Sequence, residues 1–106
     1  MSARLKKNKD LLKVLMKNNC KLNKAIVREA DDSLILCLCE IIKNVLHGTL
    51  KISNHQKSKL RNKKASLRKL ASRSSSVRSK RKIIQSGGFL PFLVPLIGAV
   101  AKLFLQ

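Results

Sequence analysis

Ser33-Leu34-Ile35-Leu36-Cys37-Leu38-Cys39-Glu40-Ile41-Ile42-Lys43-Asn44-Val45-Leu46-His47, followed by Gly48, is the stretch on which the fold turns. Its interior is apolar apart from Glu40, Lys43 and Asn44. A helix that is apolar nearly all round belongs in a core rather than on a surface. The segment 33–47 is therefore predicted to be the buried helix of an all-α protein. Its ends carry matching signals: Asp32 or Ser33 supplies an N-cap oxygen. Gly48 stands where a helix C-cap glycine is expected.

Toward the N-terminus, a first helix is predicted over about 3–18, with Leu5, Leu11, Leu12, Val14, Leu15 and Met16 opposed to lysines. A second, over about 21–30, carries Leu22, Ala25 and Ile26. Together with the buried helix these make a small helical domain, residues 1–48. A unit of that size is marginal alone, so self-association is expected, giving a homo-oligomer. No signal peptide is expected at the N-terminus, because Arg4, Lys6, Lys7, Lys9 and Asp10 interrupt any apolar run.

Toward the C-terminus the composition changes. The chain of 106 residues has 24 Lys+Arg against 5 Asp+Glu, a formal charge of +19. All five acids (Asp10, Glu29, Asp31, Asp32, Glu40) lie before residue 41, and none follows. Residues 49–86 form a basic arm containing Lys51, Lys57, Lys59, Arg61, Lys63, Lys64, Arg68, Lys69, Arg73, Arg78, Lys80, Arg81 and Lys82. Ser53 caps a helix reaching about Leu70, with Leu60, Leu67 and Ala71 as a thin apolar stripe. Ser72 to Ser76 then make a flexible joint. So dense a charge favours a helical or disordered arm that orders on a polyanion.

That arm is the main functional signal. Cations without neighbouring acids neutralise phosphates and release counterions, which gives affinity that falls steeply with salt. The thirteen cations named above are the candidate nucleic-acid contacts. The chain has no Trp or Tyr, and its Phe residues (Phe89, Phe92, Phe104) all lie beyond the arm. Base stacking is therefore not its mode, and non-specific contact with the phosphates of DNA, RNA or an anionic membrane surface is expected. Lys80-Arg81-Lys82 and Arg61-Asn62-Lys63-Lys64 also fit short nuclear-import signals.

Residues 87–106 form a hydrophobic tail that opens with Gly87-Gly88. From Phe89 onward only Pro91, Pro95, Gly98, Lys102 and Gln106 depart from apolar character, and on a helix these fall in one narrow arc. Three readings fit. Eighteen helical residues reach about 27 Å, near the thickness of a bilayer core. The same helix lies in an anionic membrane interface, or packs as a core helix on residues 1–48 or on a capsid-type partner. The membrane or partner contacts in these readings are Phe89, Leu90, Phe92, Leu93, Leu96, Ile97, Val100, Leu103 and Phe104. The opening Phe-Leu-Pro run resembles short membrane-lytic peptides of amphibian skin in its physical character.

Other chemistry is sparse. Cys37 and Cys39 lie two apart on a helix, diverging by about 200°, so they cannot chelate one metal together. With Cys20 they make an odd count that fits a reducing compartment, and they read as small buried apolar residues. Two histidines and five carboxylates show no catalytic spacing, phosphate loop or nucleophile elbow. No enzyme, cofactor or metal site is expected.

Lys80-Arg81-Lys82-Ile83-Ile84-Gln85-Ser86-Gly87-Gly88-Phe89-Leu90-Pro91, a basic run leading through Gly-Gly into a hydrophobic tail, resembles the adenovirus core protein X (mu precursor) type. It is more similar to small basic proteins of Polinton/Maverick elements and adintoviruses. Met1-Ser2-Ala3-Arg4-Leu5, Leu36-Cys37-Leu38-Cys39-Glu40 and Asn44-Val45-Leu46-His47-Gly48 also look like that group. The resemblance implies a virion component, nuclear or packaged, that condenses double-stranded DNA and uses its tail on capsid or membrane. Adenovirus-type proteases favour an aliphatic residue, any residue, Gly, any residue, Gly. Here Ser86 stands in place of the first Gly, while Gly87-Gly88 remains the candidate processing joint. The leading expectation is thus a DNA-condensing minor virion protein. The alternative is a membrane-active protein whose arm recruits anionic lipid.

Overall fold

The computed structural model describes residues 3–17, 20–48, 52–86 and 89–104. The central helix, α4 (Asp32–Leu46), buries Leu34, Ile35, Cys37, Leu38, Cys39, Ile41, Ile42 and Val45, as its all-round apolarity predicts. Its N-cap is Asp31, one residue before the expected pair; the Leu34 N–H donates to Asp31 Oδ1 at 3.2 Å. Asp32 and Ser33 are engaged elsewhere, Asp32 with Arg81 and Ser33 with Asn8. Gly48 closes the helix at φ +75°, and a Cβ there would meet nothing within 4 Å. The left-handed backbone, not crowding, is what calls for glycine.

Before α4 come α1 (Ala3–Lys7), α2 (Lys9–Lys17) and α3 (Cys20–Glu29). The single helix expected over 3–18 is interrupted at Asn8, a 4 % exposed residue whose Nδ2 donates to Arg4 O at 2.9 Å and Ser33 Oγ at 3.1 Å. Leu5, Leu12 and Leu15 are buried, at 3- to 4-residue intervals that include Asn8. Leu11, Val14 and Met16, expected on that inner side, are instead each 39 % exposed, because they sit between those intervals. On α3 the inward residues are Asn23 and Val27, while Leu22 is 47 % exposed. The Asn23 amide donates to Leu15 O at 2.8 Å, fastening α3 to the end of α2.

The basic stretch folds as three helices, α5 (Asn54–Arg61), α6 (Lys64–Ala71) and α7 (Val77–Gln85). Ser53 is a full capping box with Gln56, as its position predicts. The helix expected to run on to Leu70 breaks at Asn62 and Lys63. Leu67 and Leu70 are buried, Leu60 and Ala71 partly so. Ser76 caps α7 by accepting from the Ser79 N–H at 3.1 Å. Its inner face carries Lys80 and Ile84, four apart. The expectation of an arm separate from the helical domain is thereby corrected. Leu67, Leu70 and Ile84 belong to the same hydrophobic cluster as α4, and α6 and α7 pack directly on it. Each fully buried leucine or isoleucine contributes roughly 1.5–3 kcal/mol, enough to hold a charged segment down.

The tail forms α8 (Phe89–Phe104), packed against α2, α3, α4 and α7. Phe89, Leu90, Phe92, Leu93, Leu96, Ile97 and Val100 are all 5 % exposed or less. Pro91, Pro95 and Lys102 are exposed and Gly98 is half-buried, so the narrow arc read from the sequence is the helix's outer edge. Pro95, which has no N–H to donate, sits where water can satisfy the freed carbonyl. The Phe89 and Phe92 rings meet edge to face, centroids 5.7 Å apart. The radius of gyration, 12.5 Å, is that of a folded domain of about 100 residues, roughly 13 Å. All three sequence zones thus share one core.

Candidate nucleic-acid interface

The thirteen candidate phosphate contacts separate into groups once the helices are in place. Lys57, Lys59 and Arg61 on α5, Lys64, Arg68 and Lys69 on α6, Arg73 in the joint, and Arg78 and Lys82 on α7 are exposed. Arg78 and Lys82 are four apart and share the outer face of α7, as do Lys64 and Arg68 on α6. Arg61, Lys64 and Arg68 also line a shallow groove of about 240 Å³ with Leu46, Leu60 and Leu67. Their aliphatic stems cover that apolar floor while the charged heads stay in water.

Three cations stand apart from that exposed set. Arg81 Nη1 donates to the Val27 and Ala30 carbonyls, both at 2.7 Å, and Nη2 pairs with Asp32 Oδ1 at 3.0 Å. It thereby satisfies carbonyls at the end of α3, groups that a helix leaves without internal partners. Lys63 places Nζ 5.8 Å from the Phe89 ring centroid and 6.0 Å from that of Phe92, a cation–π contact between the α5–α6 junction and the start of α8. Lys80 is 7 % exposed. Lys51 lies outside the described residues. The sequence had no means of telling these apart, since each sits in the same run of positive charge.

Electrostatics favour the exposed set as a polyanion surface. Among the described residues, the ion pairs are Arg4 with Glu40, Arg28 with Glu29 and Arg81 with Asp32. None involves an exposed cation of α5, α6 or α7. With no acid after residue 40, nothing in that half of the chain screens them, and their mutual repulsion is relieved by an external anion.

The other candidate residues fall as follows. The tail's apolar side chains from Phe89 to Val100 face the core, where neither membrane nor partner touches them while α8 stays docked. Of the three readings of the tail, this burial matches packing as a core helix on the rest of the chain, and the apolar arc is wide because the core meets α8 on several sides. The side chains of Leu103 and Phe104, and the joint Gly87-Gly88, lie outside the described part. No single helix among the described residues is long and apolar enough to cross a membrane. Cys37 and Cys39 are buried free thiols. Burial pushes the Cys37 thiol up to about 12, helped by the Glu40 carboxylate. Burial also raises Cys39, against the pull of Lys80, Lys43 and Arg4. Both are held as neutral, unreactive thiols. Among the described residues, no three His, Cys, Asp or Glu side chains gather where a metal could be held.

No protein-family model, curated protein or solved structure matches this chain.

Proposed function

We propose that the chain is a non-enzymatic protein that binds double-stranded DNA without sequence specificity and condenses it, as a core or minor component of a virion-like particle in the nucleus. The observation that carries this reading is the run of exposed cations on α5, α6 and α7, from Lys57 to Lys82, in a half of the chain without a single acid. Folding adds something a disordered arm would lack. The cations are held on short rigid helices, so less side-chain and backbone entropy is lost when phosphates are met. Exposed Leu11 and Val14, three apart on α2, favour association with a second copy. Linking several basic faces multiplies weak phosphate contacts.

Binding of the full chain to random double-stranded DNA across a salt series tests the proposal, with anionic vesicles as competitor. The expected result is a log–log salt slope of several units, indifferent to DNA sequence and retained against vesicles. Replacing Arg68 and Lys69 by Gln is expected to lower the slope by about 0.9 for each phosphate that is no longer neutralised. Affinity that is flat in salt, or DNA released at once to vesicles, would overturn it.

A further inference from the structure

A second cluster of cations lies away from the exposed basic face. A cavity of about 270 Å³ between α1, α4 and α7 is lined by Arg4, Leu36, Cys39, Glu40, Lys43 and Lys80. Three cations from three helices converge there on one carboxylate. Lys80 is only 7 % exposed as a residue and, among the described residues, its side chain has no hydrogen-bond or ion-pair partner. What is buried is its aliphatic stem; the ammonium itself still meets water, which an anion can replace. Glu40 does not supply the missing anion: its Oε2 accepts no hydrogen bond, and its nearest cation, Arg4 Nη1, stands at 4.0 Å. The wall is completed by Leu36 and the neutral Cys39 thiol, which leave the field of the cations unscreened.

We propose that Arg4, Lys43 and Lys80 form an anion pocket for a phosphate group that keeps a P–OH, whose proton Glu40 accepts in a hydrogen bond. The carboxylate sets the selectivity. A fully deprotonated oxyanion such as sulfate brings only lone pairs and meets Glu40 as a repelling neighbour. Hydrogenphosphate brings one donor for Glu40 and three oxygens for the cations, so every group in the cavity is paired. The cavity has room for one such group and its waters. The pocket is independent of the DNA reading, because Arg4 and Lys43 stand outside the basic stretch and internal DNA phosphates carry no proton.

Calorimetric titration of the full chain with inorganic phosphate, and separately with sulfate at equal ionic strength, tests the assignment. The expected result is one saturable phosphate site with sulfate at least tenfold weaker. Lys43→Gln, on a half-buried position, and Lys80→Met should each weaken phosphate by about tenfold or more, while Glu40→Gln should narrow the phosphate–sulfate difference. Arg68→Gln, on the exposed face, should leave the site unchanged. If Lys80→Met does not fold by circular dichroism, Lys43→Gln decides. Methyl phosphate separates free phosphate from a terminal monoester. A monoester is protonated only below its second pKa, about 6. Methyl phosphate binding half a unit below that pKa assigns a monoester, and no binding there or at neutral pH assigns the free ion. Equal binding of phosphate and sulfate, or phosphate binding untouched by Lys43→Gln, overturns the proposal.

Discussion

Replacing Arg81 by Gln should cost stability and spare DNA binding, the reverse of what its place in a basic run suggests. The guanidinium makes two 2.7 Å bonds to the Val27 and Ala30 carbonyls and one 3.0 Å pair with Asp32. Asp32 is 72 % exposed, so that pair contributes about 0–1 kcal/mol. The carbonyl bonds are charge-assisted and partly buried, each worth roughly 1.5–3 kcal/mol, some of which water recovers in the variant. A net loss of about 2–4 kcal/mol follows. For a chain of this length, at about 4 °C per kcal/mol, Tm falls by roughly 8–16 °C. Arg78→Gln, three residues earlier on the outer face of α7, should change stability by no more than about 0.5 kcal/mol. It should reduce the DNA salt slope by about 0.9, whereas Arg81→Gln leaves the slope as it was. Thermal unfolding by circular dichroism and the DNA salt series read the two effects separately. If Arg81→Gln is as stable as the parent and lowers the slope as Arg78→Gln does, then Arg81 is a phosphate contact and its role in joining α7 to α3 is wrong.

Leu70→Ala, on α6 and fully buried, should lower global stability by about 2–5 kcal/mol while unfolding remains a single transition; an unchanged midpoint would show that the basic segment is not part of the core. Cys37 is raised from 9.0 to about 12 in the fold, so the unfolded chain releases its proton first. Stability from this thiol is therefore complete below pH 9 and is lost as pH climbs toward 12. Replacing Cys37 by Ala should flatten that alkaline slope, and native Cys37 should react with a thiol reagent far more slowly than in denaturant. Folded protein should leave anionic vesicles intact, because the apolar residues of α8 face inward. Dye release by the folded chain, abolished by Leu96→Asp, would instead favour the membrane-active alternative.

Much of the local structure is written in short-range patterns. Ser53 and Gln56 specify a capping box three residues apart, and Gly48 supplies the positive φ that ends α4. The arc of Pro91, Pro95, Gly98 and Lys102 marks the outer edge of α8. These are legible because each depends on one helix turn or on one backbone angle. The faces of the polar helices are less so. Leu11, Val14 and Leu22 read as core residues, yet the interior passes through Asn8 and Asn23, which fit there only because Ser33 Oγ and Leu15 O accept from their amides.

The charge itself, +19 with every acid before residue 41, is a property of the sequence alone, and so is the search for a polyanion that it implies. What each cation does was decided by tertiary structure. Arg78, Lys80, Arg81 and Lys82 stand within five positions of one another. Helical rotation sends Arg78 and Lys82 to water, Lys80 into a cavity and Arg81 onto the end of α3. Likewise the tail's apolarity was plain, but whether it meets lipid, a partner or its own chain depends on what else needs covering. Here α2, α3, α4 and α7 present the apolar surface that α8 closes. Partners such as Val27 and Ala30, more than fifty residues from Arg81, come within hydrogen-bonding reach only in the folded chain, and no periodicity in the sequence encodes that distance.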